Sequence, residues 1–314
     1  MNDVLEFKSV QNGMQISNAV AYIASYRSAA RKSGDEFYII GTFKNKGETL
    51  GFKVWEKPLV TALMQNSLEG RVVRISGKAS VYNNVLEVSL TAIQPVDDSA
   101  YPISLFLKSA NVNSLFEEFK NFVSTELSEN AQKLLSFIFG NEKIYDRFKE
   151  EFAGSRMHDA QIGGLLNHTL KMLRIAKVVY ENDSRFGNQP NYKDLLYLSI
   201  ILHDVGKIWE MNYGVYQKNS YVTHRILGIE LLVKYKNAIL QVYDDGFYYQ
   251  LVAVLQGHHG EFEDAPKTVL AYIVHLIDML ESQTTGIFDK IENNEVESRA
   301  GWYAVRVDGK YLMY

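Results

Sequence analysis

The period of the hydrophobic pattern changes once along the chain, near residues 97–102, and this change divides the fold in two. Upstream, from about residue 13 to 96, apolar residues alternate with polar ones and turn residues recur at short intervals, which predicts strands. In residues 85–92, Leu86, Val88, Leu90 and Ala92 alternate with Glu87, Ser89 and Thr91, as in a half-buried antiparallel strand. Asn83-Asn84 tolerates positive φ and joins this strand to residues 71–82 as a hairpin. Asn45-Lys46-Gly47 gives the same signal between residues 37–44 and 49–55. Between the hairpins, residues 58–69 have helical spacing, with Pro58 at the start and Gly70 just past the end. A first strand over residues 20–28 completes the order β-β-β-α-β-β. That order predicts an all-β OB-fold barrel.

Pro102 ends regular structure on its N-terminal side, and beyond it the period becomes 3.6. Amphipathic helices are expected at residues 113–127, 128–139, 142–152, 163–180, 192–203, 224–235, 247–259 and 266–282, so the second domain reads as an all-α bundle. Residues 302–307 and 310–314, around Asp308-Gly309, predict a short C-terminal hairpin. The expected organisation is a barrel over residues 1–98, a helical domain over 99–290 and a tail over 291–314.

The chain contains no cysteine, which excludes thiolate nucleophiles and Cys-ligated zinc and fits a reducing compartment. Any metal must be held by imidazole and carboxylate. The first ten residues carry Asp3 and Glu6 and do not form a secretory signal, and no apolar run suggests a membrane span. The formal charge of -4 argues at first sight against a protein that coats phosphate backbones. Residues 1–100, however, carry 11 Lys and Arg against 10 Asp and Glu, while the remainder carries 22 against 27, so the acidity belongs to the helical part.

All seven histidines fall there, between His158 and His275. His168 sits within Gly163-Gly164-Leu165-Leu166-Asn167-His168-Thr169, and His203-Asp204 ends the apolar run 195–202 and precedes Val205-Gly206-Lys207. Asp278 lies on the apolar helix 269–280, where an unpaired buried carboxylate would cost several kcal/mol. His275, one turn before Asp278, is expected to support a ligand or fill the core.

The His-Asp doublet, with a distant upstream His and a distant downstream Asp, resembles the signature of HD-domain metal-dependent phosphohydrolases. With a barrel ahead of it, the chain is similar to the YhaM-type 3'-to-5' exoribonuclease family over nearly its whole length. The motifs are Val54-Trp55-Glu56, residues 158–170, Ile201-Leu202-His203-Asp204-Val205-Gly206-Lys207, His258-His259-Gly260 and His275-Leu276-Ile277-Asp278. The family's leading motif usually has a second His where this chain has Asp159, a departure that touches none of the implied ligands.

The resemblance implies His168, His203, Asp204 and Asp278 on a first metal, and Asp204, His224, His258 and His259 on a second. It also implies bacterial, cytoplasmic members that remove nucleotides from the 3' end of single-stranded RNA, and often DNA, with Mn-type ions. Imidazole with carboxylate suits Mn, Fe, Co, Ni or Zn better than Mg. Lys207 would neutralise a phosphate oxygen beside catalytic Asp204, and Gly206 would let the backbone turn away. His158 either touches substrate phosphate or caps a helix. In the barrel, Tyr38, Phe43, Trp55 and Tyr82 are candidate stacking platforms and Lys44, Lys53, Arg74 and Lys78 candidate phosphate contacts, the core being the competing place for each ring.

Two other functions compete: a nucleotide or cyclic-dinucleotide phosphohydrolase, and a nucleic-acid-binding protein whose HD domain is structural. The expected partner is single-stranded nucleic acid, without a membrane and with a homo-oligomer open.

Overall fold

The computed structural model describes residues 3–31, 36–97, 99–155, 159–184, 191–217, 221–260, 264–292, 296–299, 302–307 and 310–313. They form two compact units, Met1–Ser109 and Ala110–Tyr314.

In the first unit β1 (Gln15–Ala30), β2 (Phe37–Asn45), β3 (Glu48–Val54), α1 (Lys57–Gln65), β4 (Val72–Tyr82) and β5 (Val85–Pro95) follow the expected order. The strands close into a barrel in the order β1-β2-β3-β5-β4, which is the OB topology. Closure depends on β1, which pairs with β4 from Gln15 to Tyr22 and with β2 from Tyr22 to Ala30, with an irregularity between Ile23 and Ser25 where it changes partner. Both expected hairpin turns have paired positive φ values, 45° and 96° at Lys46-Gly47 and 49° and 62° at Asn83-Asn84.

Alternation along β2 puts Ile39, Gly41 and Phe43 inside the barrel. A Cβ at Gly41 would lie 2.2 Å from the Phe52 ring, so this glycine makes room for a core aromatic. α1 stops at Gln65, short of the expected residue 69, because hydrogen bonds draw the chain off the helical path. Tyr26 Oη donates to Leu63 O at 2.9 Å and accepts from Leu68 N at 3.0 Å, while Glu69 accepts from Tyr26 N at 2.7 Å.

The expected break after residue 98 falls too early. Residues 99–109 remain with the barrel because Phe106 is buried against Tyr22, its carbonyl accepts from Lys46 N at 2.5 Å, and Arg74 donates to Tyr101 Oη at 3.2 Å.

The second unit contains α2 (Val112–Glu126), α3 (Glu129–Phe139), α4 (Glu142–Glu150), α5 (Gly164–Asn182), α6 (Tyr192–Leu202), α7 (Lys207–Glu210), α8 (His224–Leu240), α9 (Asp245–Gly257) and α10 (Val269–Glu292). Side chains of Asn111, Ser128, Asn141 and Asp244 accept from the first-turn N–H groups of α2, α3, α4 and α9, which sets where those helices begin. Every residue of α6 except Lys193 is buried, so it is the central rod of the bundle.

Two features modify the all-helical expectation. β6 (Met211–Asn212) and β7 (Val215–Tyr216) form a small hairpin after α7, held by a bond from Gly214 N to the buried Glu151 carboxylate at 2.8 Å. The C-terminal hairpin of β9 (Trp302–Val307) and β10 (Lys310–Met313) gains a third strand, β8 (Val296–Arg299). Its turn residues, Asp308 and Gly309, lie outside the described residues. Among the described residues no helix is long and apolar enough to cross a membrane.

Gly41→Val is expected to lower the stability of the barrel by about 1 to 3 kcal/mol, the usual cost of forcing extra atoms into a packed core. Chemical denaturation measures it; an unchanged midpoint would mean that the Phe52 ring has room to move.

Candidate metal centre

Helix ends supply most of the centre. His203 caps α6 and Asp204 follows it; His224 opens α8; His258 caps α9 and His259 follows. His168 comes from the second turn of α5 and Asp278 from the middle of α10. Where a helix stops, its side chains can point along the axis into a shared space, and with His168 and Asp278 five helices converge on a small volume.

The donors fall into two groups around Asp204. One is His168, His203 and Asp278; the other is Asp204, His224, His258 and His259. Asp204 Oδ2 lies 3.8 Å from His168 Nε2 and 3.4 Å from His203 Nε2, and Asp278 Oδ1 lies 3.4 Å from His168 Nε2. Asp204 Oδ1 faces the other way, 3.3 Å from His224 Nε2 and 3.5 Å from His258 Nε2. His224 and His259 bring their Nε2 atoms to 3.1 Å.

The donors fit a divalent cation on two observations. Asp204 Oδ1 and His258 Nε2 are buried and make no hydrogen bond, although a buried polar atom without a partner costs roughly 1 to 3 kcal/mol. The second is tautomer control: each of four imidazoles commits Nδ1 elsewhere and leaves Nε2 facing the donors. His203 Nδ1 donates to Ile200 O at 2.7 Å and His258 Nδ1 to Leu255 O at 3.1 Å. His224 Nδ1 meets Glu210 Oε2 at 2.8 Å, and His168 Nδ1 meets Glu281. Carboxylates and carbonyls behind imidazole are the usual supports of metal-ligating histidine.

Burial would raise the Asp204 carboxyl, but the Lys207 ammonium at 2.5 Å and His203 outweigh it and hold the group well below the ordinary carboxylate range. Burial pushes His258 down to about 3, so its imidazole is neutral. Burial likewise opposes ionisation of Glu281, yet its bond to His168 and the Lys171 ammonium hold it at about 2.

Glu281 and Glu210 escape a sequence reading, although each had a signal. Glu281 is three residues after Asp278 and shares its helix face; Glu210 is three residues after Lys207. Asp159, His168 and Glu281 form a third set of close donor atoms. Lys171 fills it, with Nζ 2.9 Å from Asp159 Oδ2 and 3.2 Å from Glu281 Oε1, so it is a charge chain behind His168.

Lys207 Nζ also donates to Ala153 O at 2.6 Å, beside the donors. Gly206 works differently from the expected turn: its φ is -63°, and a Cβ there would lie 1.9 Å from His224 O. The missing side chain lets the start of α7 touch the start of α8, which brings Asp204 to His224. His158 lies outside the described residues.

In the barrel, Tyr38 and Trp55 stack at 4.4 Å with an 8° tilt, and Trp55 is 41% exposed. Lys53 Nζ lies 5.9 Å from the Trp55 ring and 5.1 Å from that of Tyr82, which is 61% exposed. Phe43 is a correction: at 0% exposure it stacks on Phe52 in the core, as its shared parity with Ile39 required, and it presents no face to a strand. Arg74 is bound to Asp3 at 3.0 Å and to Asn18 O at 2.7 Å, and Lys53 to Glu87 at 2.6 Å.

A closed five-stranded barrel followed by a helical bundle with a His and Asp centre defines the class, and the family comparison agrees, since residues 165–283 match the HD domain. By sequence the chain is similar to proteins named 3'-5' exoribonuclease YhaM, the family its motifs resemble. The Shouchella clausii protein is 28% identical over 68% of this chain and 67% of its own. The Listeria welshimeri protein is 27% identical over 76% of both chains, and that of Bacillus subtilis 27% over 68% of both. Among solved structures, the second OB-fold domain of replication protein A from Methanococcus maripaludis aligns with 30% of this chain and 94% of its own at 13% identity and a TM-score of 0.24.

Two outcomes follow. Glu281→Ala should weaken divalent-metal binding about 10- to 100-fold, the usual effect of removing a carboxylate behind a ligating imidazole, read by metal titration of the purified protein. The second concerns pH. With His258 lowered to about 3 in the folded chain against 6.5 unfolded, the unfolded chain takes up the proton first as pH falls. The contribution is therefore complete above 6.5 and declines by about 1.4 kcal/mol per unit below it. In chelator-treated protein, His258→Gln should flatten the loss of denaturation free energy between pH 6.5 and 5; an identical slope would show that His258 carries no such linkage.

Proposed function

We propose that the protein is a metal-dependent 3'-to-5' exonuclease that hydrolyses the phosphodiesters of single-stranded RNA, and of DNA as a second substrate. The observation that carries this reading is the division of Asp204, with one carboxylate oxygen toward His168 and His203 and the other toward His224 and His258. That arrangement suits two ions sharing one carboxylate, and the nitrogen-rich donor set favours Mn, with Fe, Co, Ni or Zn as alternatives. When bound, such a pair activates a water and stabilises the attacking and leaving oxygens of an in-line displacement at phosphorus.

The chain's own residues prepare the rest. Lys207 keeps Asp204 ionised and places a positive charge beside the point where phosphate would arrive. Neutral His258 presents a lone pair without first losing a proton, and Glu210 and Glu281 orient the imidazoles of His224 and His168 with Nε2 toward the other donors. Two divalent ions would add about +4 at this point, so a net charge of -4 is compatible with a phosphate substrate. On the barrel, Trp55 stacked on Tyr38, with Lys53 between Trp55 and Tyr82, is a platform of the kind on which successive bases stack. The names of the relatives, 3'-5' exoribonuclease, support the direction and the substrate.

The test is to incubate purified protein with Mn and 5'-labelled single-stranded RNA beside Asp204→Ala. A ladder shortening from the 3' end in the parent, and none in the variant, is expected. Intact RNA with hydrolysis of a nucleotide panel would instead make the protein a nucleotide phosphohydrolase. Trp55→Ala should weaken single-strand binding by about 1 to 3 kcal/mol, the range for losing one stacked base, with little change in hydrolysis of a small phosphodiester.

A further inference from the structure

His275 belongs to neither donor group, yet it is buried one turn before Asp278 on α10. Its Nδ1 donates to the carbonyl of His258 at 2.7 Å. That carbonyl belongs to the peptide joining the two adjacent histidines, at the end of α9, where helix carbonyls have lost their partners. The ring also lies against Gly260, whose φ is +68°; a Cβ there would sit 2.4 Å from His275 Cε1 and 2.5 Å from Nε2. One imidazole therefore holds the turn on both sides of His259, by a hydrogen bond before it and by packing after it.

The arrangement answers a geometric difficulty. Neighbouring residues of a helix point in different directions, so two consecutive side chains cannot serve one small donor group while the helix continues. Here His258 Nε2 reaches Asp204 Oδ1 at 3.5 Å and His259 Nε2 reaches His224 Nε2 at 3.1 Å, which requires the chain to leave α9 between them at a defined angle. We infer that His275 is a positioning residue for the second donor group, fixing the His258-His259 peptide so that both imidazoles face the same ion. This inference rests on the two-ion reading of Asp204.

The experiment is Mn titration of the full-length metal-free protein, counting ions per chain and their affinities, with circular dichroism melting of each metal-free variant. His275→Leu removes the donor. It should weaken one site, the same one that His224→Ala removes, by about tenfold or more and leave the other within about twofold, as expected for a residue behind the ligands. His275→Asn keeps a nitrogen donor at the δ position and should restore both sites; His275→Gln, with its nitrogen one bond further out, should not. If the Leu variant does not fold, the comparison of Asn with Gln decides. Two ions at parental affinity in all three variants would overturn the role of His275 and leave the two-ion reading standing. A single Mn in the parent would overturn both. Equal loss of both sites in Leu, Asn and Gln would reduce His275 to a general structural residue.

Discussion

The helical unit is organised around one buried carboxylate facing two ways. Asp204 stands among four imidazoles and one ammonium, and its ionised form survives burial because Lys207 and His203 offset the lost hydration. A buried charge is tolerated only when partners surround it, so everything that positions those partners also bears on stability. This explains why His203, His224 and His258 sit at helix ends and why Gly206 admits no side chain. It also explains why Glu210 and Glu281 occupy buried positions that would otherwise be unfavourable.

Support behind the donors is as ordered as the donors themselves. Ile200 and Leu255 lend carbonyls from the helices that carry His203 and His258, so those two imidazoles are oriented by their own backbone. His168 and His224 depend instead on carboxylates from α10 and α7, elements distant in sequence. The chain Glu281, Lys171, Asp159 continues this support outward and gives Asp159 a role in ion pairing.

Much of the fold was legible in the sequence. The period of two, the paired turns at Lys46-Gly47 and Asn83-Asn84 and the helical spacing around Pro58 gave the OB order, because local backbone geometry and one-sided burial both leave a pattern. Less legible were features decided by contacts between distant residues. Tyr26 ends α1 early, and Phe106 keeps residues 99–109 with the barrel. Of the candidate platforms, Phe43 takes the competing place in the core, where its parity with Ile39 puts it.

By itself the sequence determined the element order and the supply of donors: seven histidines in one region, a His-Asp doublet, an acid on an apolar helix and no cysteine. Tertiary structure alone decided which oxygen of Asp204 faces which imidazoles, which carboxylates lock His168 and His224, and how His258 and His259 come to face one point. The physical reason is range. Periodicity reports which face of an element is buried, whereas coordination depends on directions and separations of a few ångströms between atoms on five different helices, fixed only when those helices pack.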